Sequence, residues 1–199
     1  AAVFNELTGS VNAHGYGNLL VAPHNLRERF TELIRREAEH AKAGRPCGIR
    51  AKMNQLQDER MIEELYVAGQ AGVPITLNVR GMCCLRAGVP GLSDNIRVFS
   101  VLGRFLEHSR IYRFENGGDP EYFIGSADWM RRNLDARMEA IMPVLVPSIR
   151  SELDYILDVY DDDNDTAWDM QPDGSYTRRR PAGSEPSRAS QERFIREYG

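Results

Sequence analysis

Lysine is nearly absent from this chain: Lys42 and Lys52 are the only lysines among 25 basic residues, so arginine carries almost all the positive charge. Cysteine is sparse as well. Cys47, Cys83 and Cys84 are odd in number, include an adjacent pair and have no C-x-x-C spacing. That pattern excludes a disulfide framework or a zinc site and predicts reduced, buried thiols. No apolar run reaches the roughly 18 residues of a membrane-spanning helix, and no basic stretch followed by an apolar core opens the chain. A soluble, cytoplasmic protein is expected. Basic excess is missing too, because the net charge is −4, which argues against a nucleic-acid-binding surface.

What remains is enough for one domain. A chain of 199 residues, 42% hydrophobic, can bury one substantial core and a small appendage. The polar, Gly-containing start reads as an edge, and Asn18 to Ala22 as a short strand. After an Asn25 cap, Leu26, Phe30, Leu33, Ile34 and Ala38 recur at helical spacing, predicting a helix to about Lys42. Ile49 to Leu56 alternates as a strand. Asp58 opens a helix with Met61, Ile62, Leu65 and Ala68 on one face, and Ile75 to Val79 forms the next strand. This order makes a right-handed crossover between parallel strands. Arg80 and Gly81 then fall at a strand's carboxyl end, where open α/β sheets bind ligands.

Further strands are expected at Asn95 to Val101, Arg110 to Phe114 and Tyr122 to Gly125, and a buried one at Met138 to Leu145. Pro147 starts an amphipathic helix. An acidic run at Asp161 to Asp165 leads to a hairpin around Pro172-Asp173-Gly174, a linker at Pro181 to Ser190 and a terminal helix. The fold class is α/β: a mixed β-sheet with helices on both faces.

The chemistry concentrates between Gly103 and Arg137. His108, Arg110 and Glu115 have the spacing of an H-x-K-x4-D half-site, and Gly125-Ser126 with Asp128 falls close to where a G-S-x-x-N segment would stand. An imidazole can attack or protonate at a phosphorus centre, a nearby cation holds phosphoryl oxygens, and small residues let backbone N–H groups approach them. Every basic residue from Arg80 to Arg137 is arginine, whose planar fork suits phosphate. Lysine is scarce throughout, however, so codon bias explains that enrichment equally well. Asn116-Gly117-Gly118 lacks the Lys-Ser/Thr pair of a P-loop and reads as a turn. Glu115 either orients a basic neighbour or merely ends its strand, and His14, His24 and His40 have no partner spacing.

The half-site resembles those of phospholipase-D-like enzymes, which use them in pairs. Three longer blocks, NVRGMCCLRAGVPGLSDNIRV from Asn78, GRFLEHSRIY from Gly103 and SADWMRRNLDAR from Ser126, closely resemble the C-terminal region of bacterial polyphosphate kinases. GIRAKMNQL from Gly48 and, more loosely, VFNELTG near the start extend the match.

The resemblance implies a phospholipase-D-like sheet and three segments. Residues 1–47 would be a remnant of a preceding phospholipase-D-like domain with its connecting helix, 48–161 the catalytic half-domain, and 162–199 an acidic loop, hairpin and extension. It implies reversible transfer of the terminal phosphate of ATP to inorganic polyphosphate, through a phosphohistidine on an upstream domain, with Mg2+ accompanying ATP and no dedicated protein metal site. ADP, upstream domains of the same enzyme and further copies of the chain are the implied partners. His108 is the implied acid or base at the nucleotide's leaving oxygen, and Arg80 and Arg137 the implied grips on ATP or polyphosphate. Arg110, Ser126 and Asp128 are supporting candidates. Asp128 departs from the Asn of lipid-cleaving relatives, which weakens a phosphodiesterase reading. A non-catalytic polyanion-binding module is the third alternative.

Overall fold

A computed structural model of the protein describes residues 18–199, so the start of the chain and its VFNELTG match lie outside the described residues. In chain order the elements are β1 (Leu20–Ala22), α1 (Leu26–Lys42), β2 (Ile49–Met53), α2 (Glu59–Gln70), β3 (Ile75–Val79), β4 (Ile96–Val101), β5 (Ile111–Phe114) and β6 (Glu121–Gly125). They continue with α3 (Arg131–Ala136), β7 (Glu139–Val144), α4 (Pro147–Asp161), β8 (Ala167–Met170), β9 (Tyr176–Arg178) and α5 (Ser190–Tyr198).

All nine strands join one sheet in the order β1-β7-β6-β5-β2-β3-β4-β8-β9. β2 and β3 are parallel, as the strand–helix–strand order predicts, and β4 continues the parallel run. The remaining pairings are antiparallel, which makes the sheet mixed.

Alternation along the strands sorts side chains onto two faces. Ile49, Ala51, Met53, Tyr112, Phe114 and Phe123 pack with α1 and α2 in the main core. Ile111 and Tyr122 point the other way, against Leu153 and Leu157 of α4, while Phe99 and Val101 meet Tyr160 and Phe194. Helices therefore cover both faces, as the periodicity predicts. Leu33 on the α1 stripe is fully buried, a gain of about 2 kcal/mol over leaving it in water.

Asp58 caps α2 by accepting from the Met61 amide at 3.1 Å. Asn25 behaves differently from the expected cap: its Oδ1 accepts from Val21 N at 2.6 Å and makes no bond to the helix. It ties the strand–helix corner instead. The expected strand at 138–145 forms, yet only Ile141 and Val144 of β7 are buried. Met142 lines an open apolar groove with Ile124, Leu153 and Phe194, which α4 and α5 leave uncovered. The thiols are free, as expected, but not buried: Cys84 is exposed and Cys47 and Cys83 are half-buried. Among the described residues no helix is long and apolar enough to cross a membrane.

Candidate functional site

Strand direction gathers the candidate residues at one end of the sheet. β2 and β3 run parallel and end together at Met53 and Val79, delivering Asn54 and Arg80. β5 is antiparallel to β2 with Ile111 opposite Lys52, so the segment entering β5, with His108 and Arg110, lies at that same end. β6 reverses again and exits there through Gly125 and Ser126, while β7 enters there after Arg137. A cleft of about 550 Å³ results, lined by Arg80, His108, Arg110, Ser126, Asp128, Arg132 and Arg137 among others. Glu115 is at the opposite end of β5, where its carboxylate meets Arg113 Nη1 at 2.7 Å. It orients a basic neighbour away from the cleft.

Gly125 is required by close approach rather than by φ. A Cβ there would stand 2.7 Å from the Ile141 Cα of the neighbouring strand, under any tolerable contact. Ser126 continues this pairing through its amide, which donates to Ala140 O at 3.1 Å, and its hydroxyl accepts from Ala140 N at 3.2 Å. Ser126 is thereby a strand-end anchor at the cleft's wall.

His108 is held through Arg110. The Arg110 guanidinium meets Asp128 with two bonds, Nε to Oδ1 and Nη2 to Oδ2, both 3.1 Å. Its Nη1 approaches His108 Nδ1 at 2.9 Å and donates to the His108 carbonyl at 2.7 Å. A guanidinium only donates, so Nδ1 must accept, and the proton of the neutral imidazole resides on Nε2. Asp128 is almost fully buried and also accepts from the Asn54 amide at 2.7 Å. With its carboxamide nitrogen toward Glu107 O at 2.7 Å, Asn54 offers its oxygen to Arg110 Nη2 at 2.8 Å. Arg110 thus serves orientation, and the short-side-chain Asp128 fits as its fork-shaped counter-ion.

Among the described residues, the other guanidiniums of the cleft have no such counter-ion. Four arginines line the cleft against two carboxylates. Asp128 is matched to Arg110, and Glu139 accepts from Asn133 Nδ2 at 2.5 Å. Arg80 Nη1 is buried without a hydrogen-bond partner among the described residues, which is costly unless an anion supplies one. The uncompensated positive charge and the buried donor suit phosphoryl oxygens. Among the described residues no group of three or more His, Cys, Asp or Glu side chains is arranged to hold a metal ion.

A family model described as polyphosphate kinase C-terminal domain 2 matches residues 19–191. The chain belongs to this polyphosphate kinase family. It is 56% identical over 188 residues to a polyphosphate kinase of Thermosynechococcus vestitus, an alignment covering 94% of this chain and 26% of that protein. The chain therefore spans about a quarter of the length of such curated relatives. The crystal structure of polyphosphate kinase from Porphyromonas gingivalis superposes with a TM-score of 0.92 at 41% identity, over 98% of this chain and 30% of that one. NucT from Helicobacter pylori, 11% identical, shares the fold at a TM-score of 0.50 over 70% of this chain and 91% of its own. The mixed sheet expected from the order of elements, phospholipase-D-like by the resemblance, is the fold this chain shares with the Porphyromonas polyphosphate kinase and with NucT.

Sequence reasoning passed over three residues of the cleft region. Arg132 stands in the SADWMRRNLDAR block and lines the cleft from α3, a helix of six residues too short to announce itself by periodicity. Asn54 and Lys52 belong to GIRAKMNQL, whose alternation marks a strand without marking its polar members as part of a site. Lys52 is 1% exposed, its Nζ 3.3 Å from Glu107 Oε2. Burial lowers its pKa from the ordinary lysine value, and the neighbouring Glu107 carboxylate offsets only part of that.

Proposed function

We propose that this chain is the acid–base and anion-holding half of an enzyme that reversibly moves the terminal phosphate of ATP onto inorganic polyphosphate. Membership of the polyphosphate kinase family supports the reaction, and one observation carries the chain's part in it: His108, with Arg110 on its Nδ1, faces a cleft in which four arginines outnumber two carboxylates. In this reading an upstream domain supplies a histidine nucleophile. Its ring nitrogen bonds to the γ-phosphorus as the bond to the β–γ bridging oxygen breaks, and ADP leaves. A terminal polyphosphate oxygen then attacks that phosphorus and frees the histidine. His108 donates a hydrogen bond from Nε2–H to the bridging oxygen as its charge grows, keeping its proton, and in reverse the same bond holds that oxygen for its attack on phosphorus. Arg80 and Arg137 offset charge on the transferred group and its neighbours.

Mg2+ would arrive with ATP and be held mainly by phosphate oxygens, shielding their charge. Residues 48–161 carry the half-site in this proposal, with 1–47 joining it to the preceding domain and 162–199 forming an extension. The whole enzyme would be cytoplasmic and would assemble from several copies.

The test is turnover by the full-length protein. Incubated with ATP, Mg2+ and polyphosphate, it should lengthen the polymer, release ADP and hold an acid-labile phosphohistidine. The chain by itself should do none of these. Cleavage of a phosphodiester without transfer to polyphosphate would sink the proposal in favour of a phosphodiesterase. Polyphosphate binding without any dependence of turnover on His108 would leave only a polyanion-binding module.

A further inference from the structure

The segment that carries His108 into the cleft, from Leu102 to Arg110, has no regular secondary structure, and burial does not hold it. Its apolar side chains Leu102, Phe105 and Leu106 are exposed, Leu106 by 76%. Polar contacts do the holding, and they come from α5, β2 and α4. Gln191 at the start of α5, itself 5% exposed, grips the backbone of Phe105 from both sides. Its Oε1 accepts from the Phe105 amide at 2.7 Å and its Nε2 donates to the Phe105 carbonyl at 2.8 Å. The same Nε2 lies 2.8 Å from Glu107 Oε1. Glu107's other oxygen receives the Tyr160 hydroxyl at 2.5 Å and the Lys52 ammonium at 3.3 Å. Lys52 reaches past it to the Ser109 carbonyl, also at 3.3 Å. Residues 105, 107 and 109 are each pinned, and His108 stands between the last two.

We propose that Gln191, acting with Glu107 and Lys52, is a positioning device that sets His108 in the cleft, so that the C-terminal helix is part of the phosphoryl-transfer site. The inference deepens the function proposed above and rests on it. None of the three touches the reacting atoms. Their effect passes through the backbone of the segment, and a displacement near 1 Å at an acid–base group costs on the order of 10²-fold in rate. Gly103 supplies an independent handle. A Cβ on Gly103 would stand 2.6 Å from the Gln191 Cδ, so Gly103→Ala should dislodge the same clamp from the opposite side. Its φ is not in the left-handed region, so alanine suits the backbone there.

The experiment uses the full-length enzyme with Gln191→Ala, Gly103→Ala and the double variant. Each single variant should lower kcat about 10-fold or more while KM for ATP changes much less, because Arg80 and Arg137 stand on other segments. The double variant should be no worse than Gln191→Ala, since the three atoms nearest a Gly103 Cβ all belong to the Gln191 carboxamide, which that variant removes. Hydrogen exchange of the amides from Arg104 to Ser109 should quicken in all three. Wild-type kcat in Gln191→Ala overturns the proposal, as does an additive double variant whose losses track melting temperature alone. If Gln191→Ala does not fold, Gly103→Ala decides by the same kcat and exchange criteria. If the wild-type enzyme transfers no phosphate to polyphosphate, the function proposed above fails separately. The exchange measurement then still judges the clamp: protected loop amides released by Gln191→Ala support it, and unchanged amides overturn it.

Discussion

Tyr112 and Trp129 lie nearly parallel in the core, ring centroids 5.1 Å apart and planes at 24°. Tyr112 is the second residue after Arg110, and Trp129 directly follows Asp128. The stack therefore presses together the two segments whose polar ends form the Arg110–Asp128 fork. The Tyr112 hydroxyl adds a bond to the Ala127 carbonyl at 2.7 Å, deep in the core. Phe30 meets both rings, at 4.8 Å and 5.4 Å between centroids. Trp129→Ala should cost about 3–5 kcal/mol, as for other buried aromatics. Tyr112→Phe keeps the ring and strands the Ala127 carbonyl, costing about 1–2 kcal/mol. Urea unfolding should report both as shifts in midpoint at constant slope.

For His108 the expected separation is between rate and stability. The side chain is exposed, so His108→Ala in the full-length enzyme should leave the melting temperature within a degree or two while turnover falls by about 10²-fold or more. His108→Gln, which can still present a donor, should recover part of the loss. Turnover equal to wild type rejects the assigned role, and a large fall in melting temperature would make His108 structural.

The unpaired arginines make a prediction about salt. Arg80→Ala, Arg132→Ala and Arg137→Ala should each weaken polyphosphate binding by about 2 kcal/mol, the scale of a charge-assisted bond, and flatten its salt dependence by roughly one counterion. Arg113→Ala is the contrast. Its guanidinium is spent on Glu115 and Asp154 at the far end of β5, so binding and salt slope should stay as in the wild type. Equal effects at Arg113 and Arg80 would mean that binding reads net charge rather than this cleft.

How far the sequence discloses the site depends on what encodes each part. The stripe Leu26, Phe30, Leu33, Ile34 and the alternation of Ile75 to Val79 are local patterns, and both elements form where periodicity puts them. Three blocks far apart in the chain carry Arg80, His108 and Arg137, and the register of β2, β3, β5, β6 and β7 brings all three to one cleft. Burial of β7 was not legible, because Met142 faces a groove whose covering is a matter of how α4 and α5 dock. The Asn25 cap failed for a related reason: the side chain has two backbone customers, and Val21 N wins. Gln191 shows the limit most plainly. It bonds residues 86 positions away, and nothing in a terminal amphipathic pattern distinguishes a glutamine that clamps a loop from one that meets water.

Asp163 decides whether that terminal helix is anchored. The residue is fully buried, in the middle of the acidic run Asp161 to Asp165. Its Oδ1 accepts from the amides of Asp165, Thr166 and Ala167 at 3.0, 2.7 and 3.1 Å. Its Oδ2 accepts from the Thr166 hydroxyl at 2.5 Å and from the Ser190 amide, the first residue of α5, at 2.8 Å. Burial by itself would raise this carboxyl's pKa, but the bonds from Thr166 and Ser190 together outweigh it and hold the group below the ordinary value of 3.8. A carboxyl whose folded pKa is depressed contributes its stability in full above the unfolded value, and loses it as pH falls through the lower folded one. Asp163→Asn turns an NH2 toward N–H donors and should cost about 3 kcal/mol at pH 7. The gap between wild type and variant should narrow only as pH drops below 3.8. Because Ser190 adjoins Gln191, the variant should also speed hydrogen exchange at Phe105, measured under conditions where both proteins are folded. A variant as stable as wild type at pH 7, or a gap that does not change with acid, would show that the five bonds contribute nothing beyond what water supplies.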